Sequence, residues 1–264
     1  MDIGTNVGKL TIKDFEERYE VLGPIGNGDY SEIFKILDKS RDKVLAMKIT
    51  ASSSSEIINA SDEESSTLIL LHKKVGMYTD CFPTIYDYGQ IDSEIADILK
   101  LSVSDYEDEE EDEEPIVIFL TESLVNIPPN DFVYPLEMKF ELIMSLYIMN
   151  ENDFYHEDIH RWNIGYIEVD YERVYNINGK QYVVNHKYLP IILDWAMYIG
   201  SRLLGEAEGD LARLESFIFR ETIDELYLNE NKGLESIESK YFNSLRNNQS
   251  TAKTVKYFDP YLTK

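Results

Sequence analysis

Nine of the ten residues at positions 105–114 are acidic, with Tyr106 the exception. A block of like charges repels itself and resists burial, so it reads as a solvated surface loop. The plain reading is a surface insertion; the sharper one is a docking site for a basic partner. Either way, the core must be built from the two stretches that flank it, and these differ in pattern.

Before the block the chain reads mostly as strands, over residues 19–25, 31–37, 44–50 and 85–91. Gly26-Asn27-Gly28-Asp29 is a turn signal between the first two. One helix is expected from about residue 60 to 74. Ser61 would be its N-cap, with acids in the first turn and Lys73-Lys74 in the last. After the block, residues 116–120 form an apolar run of strand length. Residues 136–149 have helical spacing, with Leu136, Phe140, Ile143, Met144, Tyr147 and Ile148 on one broad face. Two short strands surround Asn178-Gly179, and residues 190–193 read as a buried strand ending in Asp194. From Asp210 the pattern returns to helix through Leu211, Leu214, Ile218 and Phe219, and the last twenty or so residues look loosely held. A strand-rich half followed by a helical half implies an α+β fold of two lobes, with a ligand cleft between them.

Charge narrows the partners. Among 264 residues, 50 acids oppose 25 Lys and Arg, for a formal charge of −25. That argues against nucleic-acid binding, because phosphates would be repelled. It permits basic proteins, cationic small molecules or metal-bridged anions. The single Cys81 excludes an internal disulfide framework and a cysteine-rich zinc site. No apolar run approaches the ~20 residues of a membrane span. The first residues lack a secretory pattern, and Asp2 rules out N-myristoylation. The expectation is a soluble protein of a reducing compartment, with no membrane partner.

Several polar residues carry possible chemistry. Gly26 and Gly28 let a loop between strands approach phosphate oxygens, although such turns use glycine routinely. A strand rather than a helix follows, so this is neither a dinucleotide fingerprint nor a P-loop. Lys48 sits in the apolar strand Leu45-Ala46-Met47-Lys48-Ile49. On the next helix Glu64 shares a face with Leu68 and Leu71, which makes it the better carboxylate partner for Lys48 than Glu63. Residues 155–164 contain His156-Glu157-Asp158 and, five residues beyond Asp158, Asn163. Asp158 can take a proton from an attacking hydroxyl, and Asn163 can ligate a metal. A zinc site on His156 and His160 is the rival reading, but no third ligand matches it. Asp194, delivered by a strand beside Asn163, would complete an oxygen-rich Mg²⁺ site with triphosphate oxygens.

In this order and on these element types, the chain resembles the protein-kinase superfamily over about residues 19–220. The resemblance implies a bilobal fold: a β-rich N-lobe with one main helix, then a small, mostly helical C-lobe. The divisions would be residues 1–18 (an N-terminal extension), 19–124 (N-lobe and hinge), 125–245 (reduced C-lobe) and 246–264 (tail). It implies ATP and Mg²⁺ as cofactors. Gly26, Gly28 and Ser31 would form the phosphate loop, and Ile25, Ile33 and Ala46 would line the adenine pocket. Thr121, Glu122 and Leu124 would belong to the hinge, with backbone contacts to adenine. Lys48 and Glu64 would form the ion pair, Asp158 would be the base, and Asn163 and Asp194 the metal ligands. His160 stands where such kinases carry a lysine.

Other departures matter. Ser31 replaces the third glycine of the loop, and Glu157 replaces the arginine before Asp158, so no loop phosphate could be clamped there. Asp194-Trp195-Ala196 replaces Asp-Phe-Gly, no Ala-Pro-Glu motif follows, and Asp210 would be the helix aspartate that steadies the catalytic loop. His160 and the short activation segment are similar to haspin and to the divergent serine/threonine kinases of large DNA viruses. The latter also carry a hairpin between the two metal ligands, expected here at residues 175–182. The implied activity is a serine/threonine kinase that needs no activating phosphorylation and acts on a basic protein substrate. Its location would be the cytoplasm, of a host cell or within a virion if the origin is viral. Two other functions stay open: a small-molecule kinase of the aminoglycoside or choline phosphotransferase type, and a pseudokinase serving as a nucleotide- or protein-binding module.

Overall fold

The computed structural model describes residues 4–28, 30–101, 114–150, 152, 154–156, 158–177 and 180–195. The 105–113 part of the acidic block, Asp29, Glu157, the Asn178-Gly179 turn, the helix expected from Asp210 and the 246–264 tail lie outside them. The architecture is mixed α+β, and the chain divides into two compact units.

Among the described residues the first unit holds 4–73, 83–125 and 194–195. Its elements are β1 (Thr5–Leu10), α1 (Ile12–Arg18), β2 (Tyr19–Asn27), β3 (Glu32–Asp38), β4 (Lys43–Ser52), α2 (Ser55–Val75), β5 (Ile85–Ile91), α3 (Ile95–Leu99) and β6 (Ile116–Ser123). The strands form one sheet in the order β1-β5-β6-β4-β3-β2. Alternation along β4 divides its side chains between two faces. Leu45, Met47, Ile49 and Ala51 join Phe15 of α1 and Ile95 and Ala96 of α3 in the hydrophobic core. Lys48 and Thr50 face the other way, to Glu64 and Ser61 of α2.

Residues 1–18, expected as an extension, carry β1 and α1. β1 pairs parallel with β5 at the sheet edge. The approach is so close that a β-carbon at Gly89 would strike the Gly8 carbonyl, and Gly8 itself has a positive φ of 70°. Thr11 caps α1 in a reciprocal box with Asp14. Behind α1, the fully buried Asp87 accepts from Arg18 at 2.8 Å, Arg41 at 2.6 Å and Tyr19 at 2.8 Å. Helix α2 begins at Ser55, five residues before the expected start, so Ser61 lies inside it and does not cap it. The Ser54 carbonyl accepts from Ile58 N–H, and Ile57 and Ile58 are both buried. Burial of this apolar pair draws the serine-rich stretch into the helix.

The second unit holds described residues within 74–82 and 126–193. It contains α4 (Leu136–Asn150), a 3₁₀ turn (Arg161–Asn163), β7 (Ile164–Glu168), β8 (Arg173–Ile177), β9 (Lys180–Val184) and β10 (Tyr188–Ile192). β7 pairs with β10 and β8 with β9, both antiparallel. α4 was expected to bury one face. Instead Met138, Lys139, Phe140, Glu141, Leu142, Ile143, Met144, Leu146 and Met149 are all buried, on every side of the helix. Its polar members survive burial by pairing. Glu141 is held by Arg173 at 2.5 and 2.8 Å and by the Tyr175 hydroxyl at 2.8 Å, and Ser145 bonds Thr79 at 2.7 Å. Among the described residues no helix is long and apolar enough to cross a membrane.

Candidate functional site

In the first unit, register gathers the residues singled out from the sequence. Gly26 pairs with Ile33, Ile33 with Lys48, Lys48 with Leu120, and Ala46 with Glu122. Directly paired residues of an antiparallel sheet share a face, so these residues all line the face that carries Lys48. Ile25 has no partner in β3, because the register slips between Pro24 and Gly26. Such a bulge re-aims a side chain, and Ile25 is left exposed. At the strand's end the Gly28 N–H donates to the Ser31 carbonyl at 2.7 Å. A β-carbon on Gly28 would come within 2.9 Å of the buried Ser31 hydroxyl, so this turn has no room for a side chain there.

Lys48 Nζ lies 2.7 Å from Glu64 Oε2 and 3.1 Å from Asp194 Oδ1. Glu63 is exposed and Glu64 is buried. Burial opposes the charge on Lys48, but Glu64 and Asp194 outweigh it, and its pKa stands above the ordinary lysine value. Burial raises the Glu64 carboxyl, with Lys48 opposing and Asp194 adding to the rise. Burial, then repulsion from Glu64, pushes the half-buried Glu122 carboxyl up to about 8. Two carboxyl groups therefore contact one ammonium, and a third bears on it electrostatically.

Asp194 is the least settled of them. Its side chain is 46% exposed, and its backbone sits in the left-handed region at φ 61°. Asp tolerates that conformation better than most residues, yet it remains strained, and strain of this kind clusters at functional sites. Next to it Trp195 is fully buried, and its backbone N–H hydrogen-bonds the Glu64 carboxylate. Nothing in the sequence signalled the left-handed turn.

Thr121 faces away. Its hydroxyl accepts from the Asp87 N–H at 2.8 Å and donates to the Asp87 carbonyl at 3.1 Å, on the sheet face opposite Lys48. Leu124 follows the last residue of β6 and is half-buried.

In the second unit, residues 158–163 form a tight loop. Asn163 Nδ2 donates to the Asp158 carbonyl at 3.1 Å, and its backbone N–H donates to the His160 carbonyl at 3.0 Å. The Leu193 N–H donates to the Asn163 carbonyl at 2.8 Å. The Asp158 carboxylate is half-exposed, with His160 Nε2 3.4 Å away, and His160 Nδ1 is a buried atom with no hydrogen-bond partner. His156 is buried, its Nε2 2.6 Å from the Leu193 carbonyl. Among the described residues no group of three His, Cys, Asp or Glu could hold a metal, so the zinc reading of His156 and His160 gains no third ligand.

Taken one unit at a time, the side chains present are of a kind that fits a hard cation or a phosphate. Asp194 offers an exposed, strained carboxylate, Asn163 an amide oxygen whose nitrogen is already committed, and Lys48 a held ammonium. Oxygen donors of this kind favour a hard cation, and an ammonium favours phosphate.

No protein-family model matches the chain, and no curated protein matches it. Among solved structures the chain is similar to the crystal structure of the kinase domain of PF14_0431, at 12% identity with a TM-score of 0.44. The match covers 72% of this chain and 54% of that one, so the chain spans about half the length of the domain it matches.

Proposed function

We propose that the chain is a Mg²⁺- and ATP-dependent phosphotransferase of protein-kinase type, acting on serine or threonine of a basic protein. The observation that carries this reading is the Lys48 ammonium held between Glu64 at 2.7 Å and the exposed Asp194 at 3.1 Å. Fixing Lys48 in one direction preorganises a positive charge where phosphate oxygens would lie, at no cost in reorganisation during reaction. The Gly26–Ser31 loop would cover those phosphates with backbone N–H groups. Ile25, Ile33 and Ala46 would offer the apolar surface for adenine, and the backbone of 121–124 its polar edge.

Asp194 and Asn163 would hold Mg²⁺, which when bound neutralises phosphate charge. Asp158 would orient the acceptor hydroxyl and take its proton as the oxygen–phosphorus bond forms and the bond to the leaving diphosphate breaks. His160, beside Asp158, would contribute charge toward the transferred group when protonated. The Nδ2 bond of Asn163 to the Asp158 carbonyl supports the reading, because it couples the proposed metal ligand to the proposed base.

The β8–β9 hairpin, between Asn163 and Asp194 in sequence, supports the finer likeness to the divergent kinases of large DNA viruses. Glu157 in place of arginine supports activity without loop phosphorylation. The test is label transfer from γ-labelled ATP to a panel of basic proteins and small cationic amines. Labelled serine or threonine supports the proposal. Label on amines alone would make the chain a small-molecule kinase, and Mg²⁺-dependent nucleotide binding without transfer would make it a binding module.

A further inference from the structure

Trp162 stands on the 3₁₀ turn between His160 and Asn163, yet the residue is 58% exposed. The backbone beneath it is fixed. Arg161 donates to the Pro129 carbonyl at 2.5 Å, and the Asn163 N–H closes the turn on His160 at 3.0 Å. Among the described residues no ring or cation covers the indole. A single exposed apolar residue is ordinary. This one is the most electron-rich aromatic type, on a rigid turn, four residues from the half-exposed Asp158 carboxylate, in a chain of charge −25.

We propose that Trp162 is a specificity-determining docking face for a cationic group of the acceptor, a Lys or Arg side chain that flanks the hydroxyl to be phosphorylated. The inference rests on the phosphotransferase reading of Asp158. An indole face is the strongest aromatic partner for an ammonium or guanidinium, and the net negative charge of the chain adds to the attraction. The field of an acidic surface raises the local concentration of cationic ligands and lowers that of anionic ones. Nucleobases also stack on tryptophan, but here the phosphates that come with them would be repelled.

The test compares the full-length wild type with Trp162→Ala and Trp162→Phe, each first shown by melting to be folded. Two acceptor peptides are used, one with arginine beside the serine and one with citrulline, which keeps the shape and removes the charge. In the wild type kcat/KM favours the arginine peptide. In Trp162→Ala that preference falls by about three- to thirtyfold, through KM, and Trp162→Phe keeps part of it. An unchanged preference in Trp162→Ala overturns the proposal while leaving phosphotransfer intact. The same peptides are also titrated without ATP, by fluorescence anisotropy. Charge-dependent binding lost in Trp162→Ala, with no transfer by any variant, would uphold the docking face and overturn the phosphotransferase reading. Equal binding of both peptides to the wild type overturns the docking face.

Discussion

Two buried ion pairs in this chain are built differently. Glu141 and Arg173 meet in a bidentate pair, and both accept or donate further bonds. Tyr175 donates to Glu141, and Arg173 also donates to the carbonyls of His186 at 3.0 Å and Tyr188 at 3.1 Å. Both side chains are almost wholly buried. Lys48 and Glu64 make an equally short contact, but the site around them is unbalanced. Asp194 is exposed and strained, Glu122 is raised to about 8, and carboxylates outnumber the ammonium. The saturated pair pins α4 to the β8–β9 hairpin and β10 and leaves nothing for a ligand. The other leaves a carboxylate exposed to solvent beside the ammonium. A buried ion pair is weak support for a functional role on its own; an exposed carboxylate and backbone strain beside it are what distinguish a site from a scaffold.

The largest expected effects separate chemistry from stability. Asp158→Asn should lower transfer by about 10²- to 10⁴-fold with nucleotide binding nearly intact, as read by label transfer and calorimetric titration. Lys48→Met should lower it by about 10²-fold or more, while urea unfolding shifts by only about 1–2 kcal/mol, because Glu64 already leans toward taking a proton. Full activity in either variant would remove that residue from the proposed machinery.

Arg173→Met should do the opposite. Leaving Glu141 buried and alone should cost about 3–5 kcal/mol in urea unfolding, and adding Glu141→Gln should recover part of that loss. If Lys48→Met and Arg173→Met destabilise equally, the contrast between the two pairs fails.

Smaller effects sharpen the unbalanced site. Asp194→Gly should hold or raise stability by up to about 1 kcal/mol, since glycine accepts φ 61° freely, while Mg²⁺-dependent nucleotide binding falls. A clear loss of stability would mean that the strain is repaid by its contact with Lys48.

Glu122 supplies the last and smallest effect. Its carboxyl has an ordinary value of 4.5 and stands near 8 in the fold, so between these values the folded state holds a proton that the unfolded chain has released. Stability from this group is complete below about 4.5 and is lost as pH rises toward 8. Glu122→Gln should flatten that decline in melting temperature, and parallel curves for the two proteins would show that Glu122 is not the source.

Much of the first unit was legible because its signals are local. Alternation marked the strands, and the spacing of Leu68 and Leu71 from Glu64 separated it from Glu63. What stayed hidden depends on distant partners. The parallel β1–β5 pairing rests on a close passage of Gly8 by Gly89, which no local pattern announces. The early start of α2 reflects packing of Ile57 and Ile58 that overrides the cap signal at Ser61. α4 reads as one-faced because Lys139 and Glu141 are charged, and Glu141 is buried only because Arg173, 32 positions later, meets it. The exposure of Trp162 and the left-handed turn at Asp194 are likewise tertiary outcomes.

The most direct measurement is transfer from γ-labelled ATP to a basic protein with Mg²⁺ present, run on the wild type and Asp158→Asn together. Label on serine or threonine with the wild type and near-background label with the variant is the predicted result. Equal labelling by both, or no labelling and no Mg²⁺-dependent ATP binding by the wild type, would contradict it.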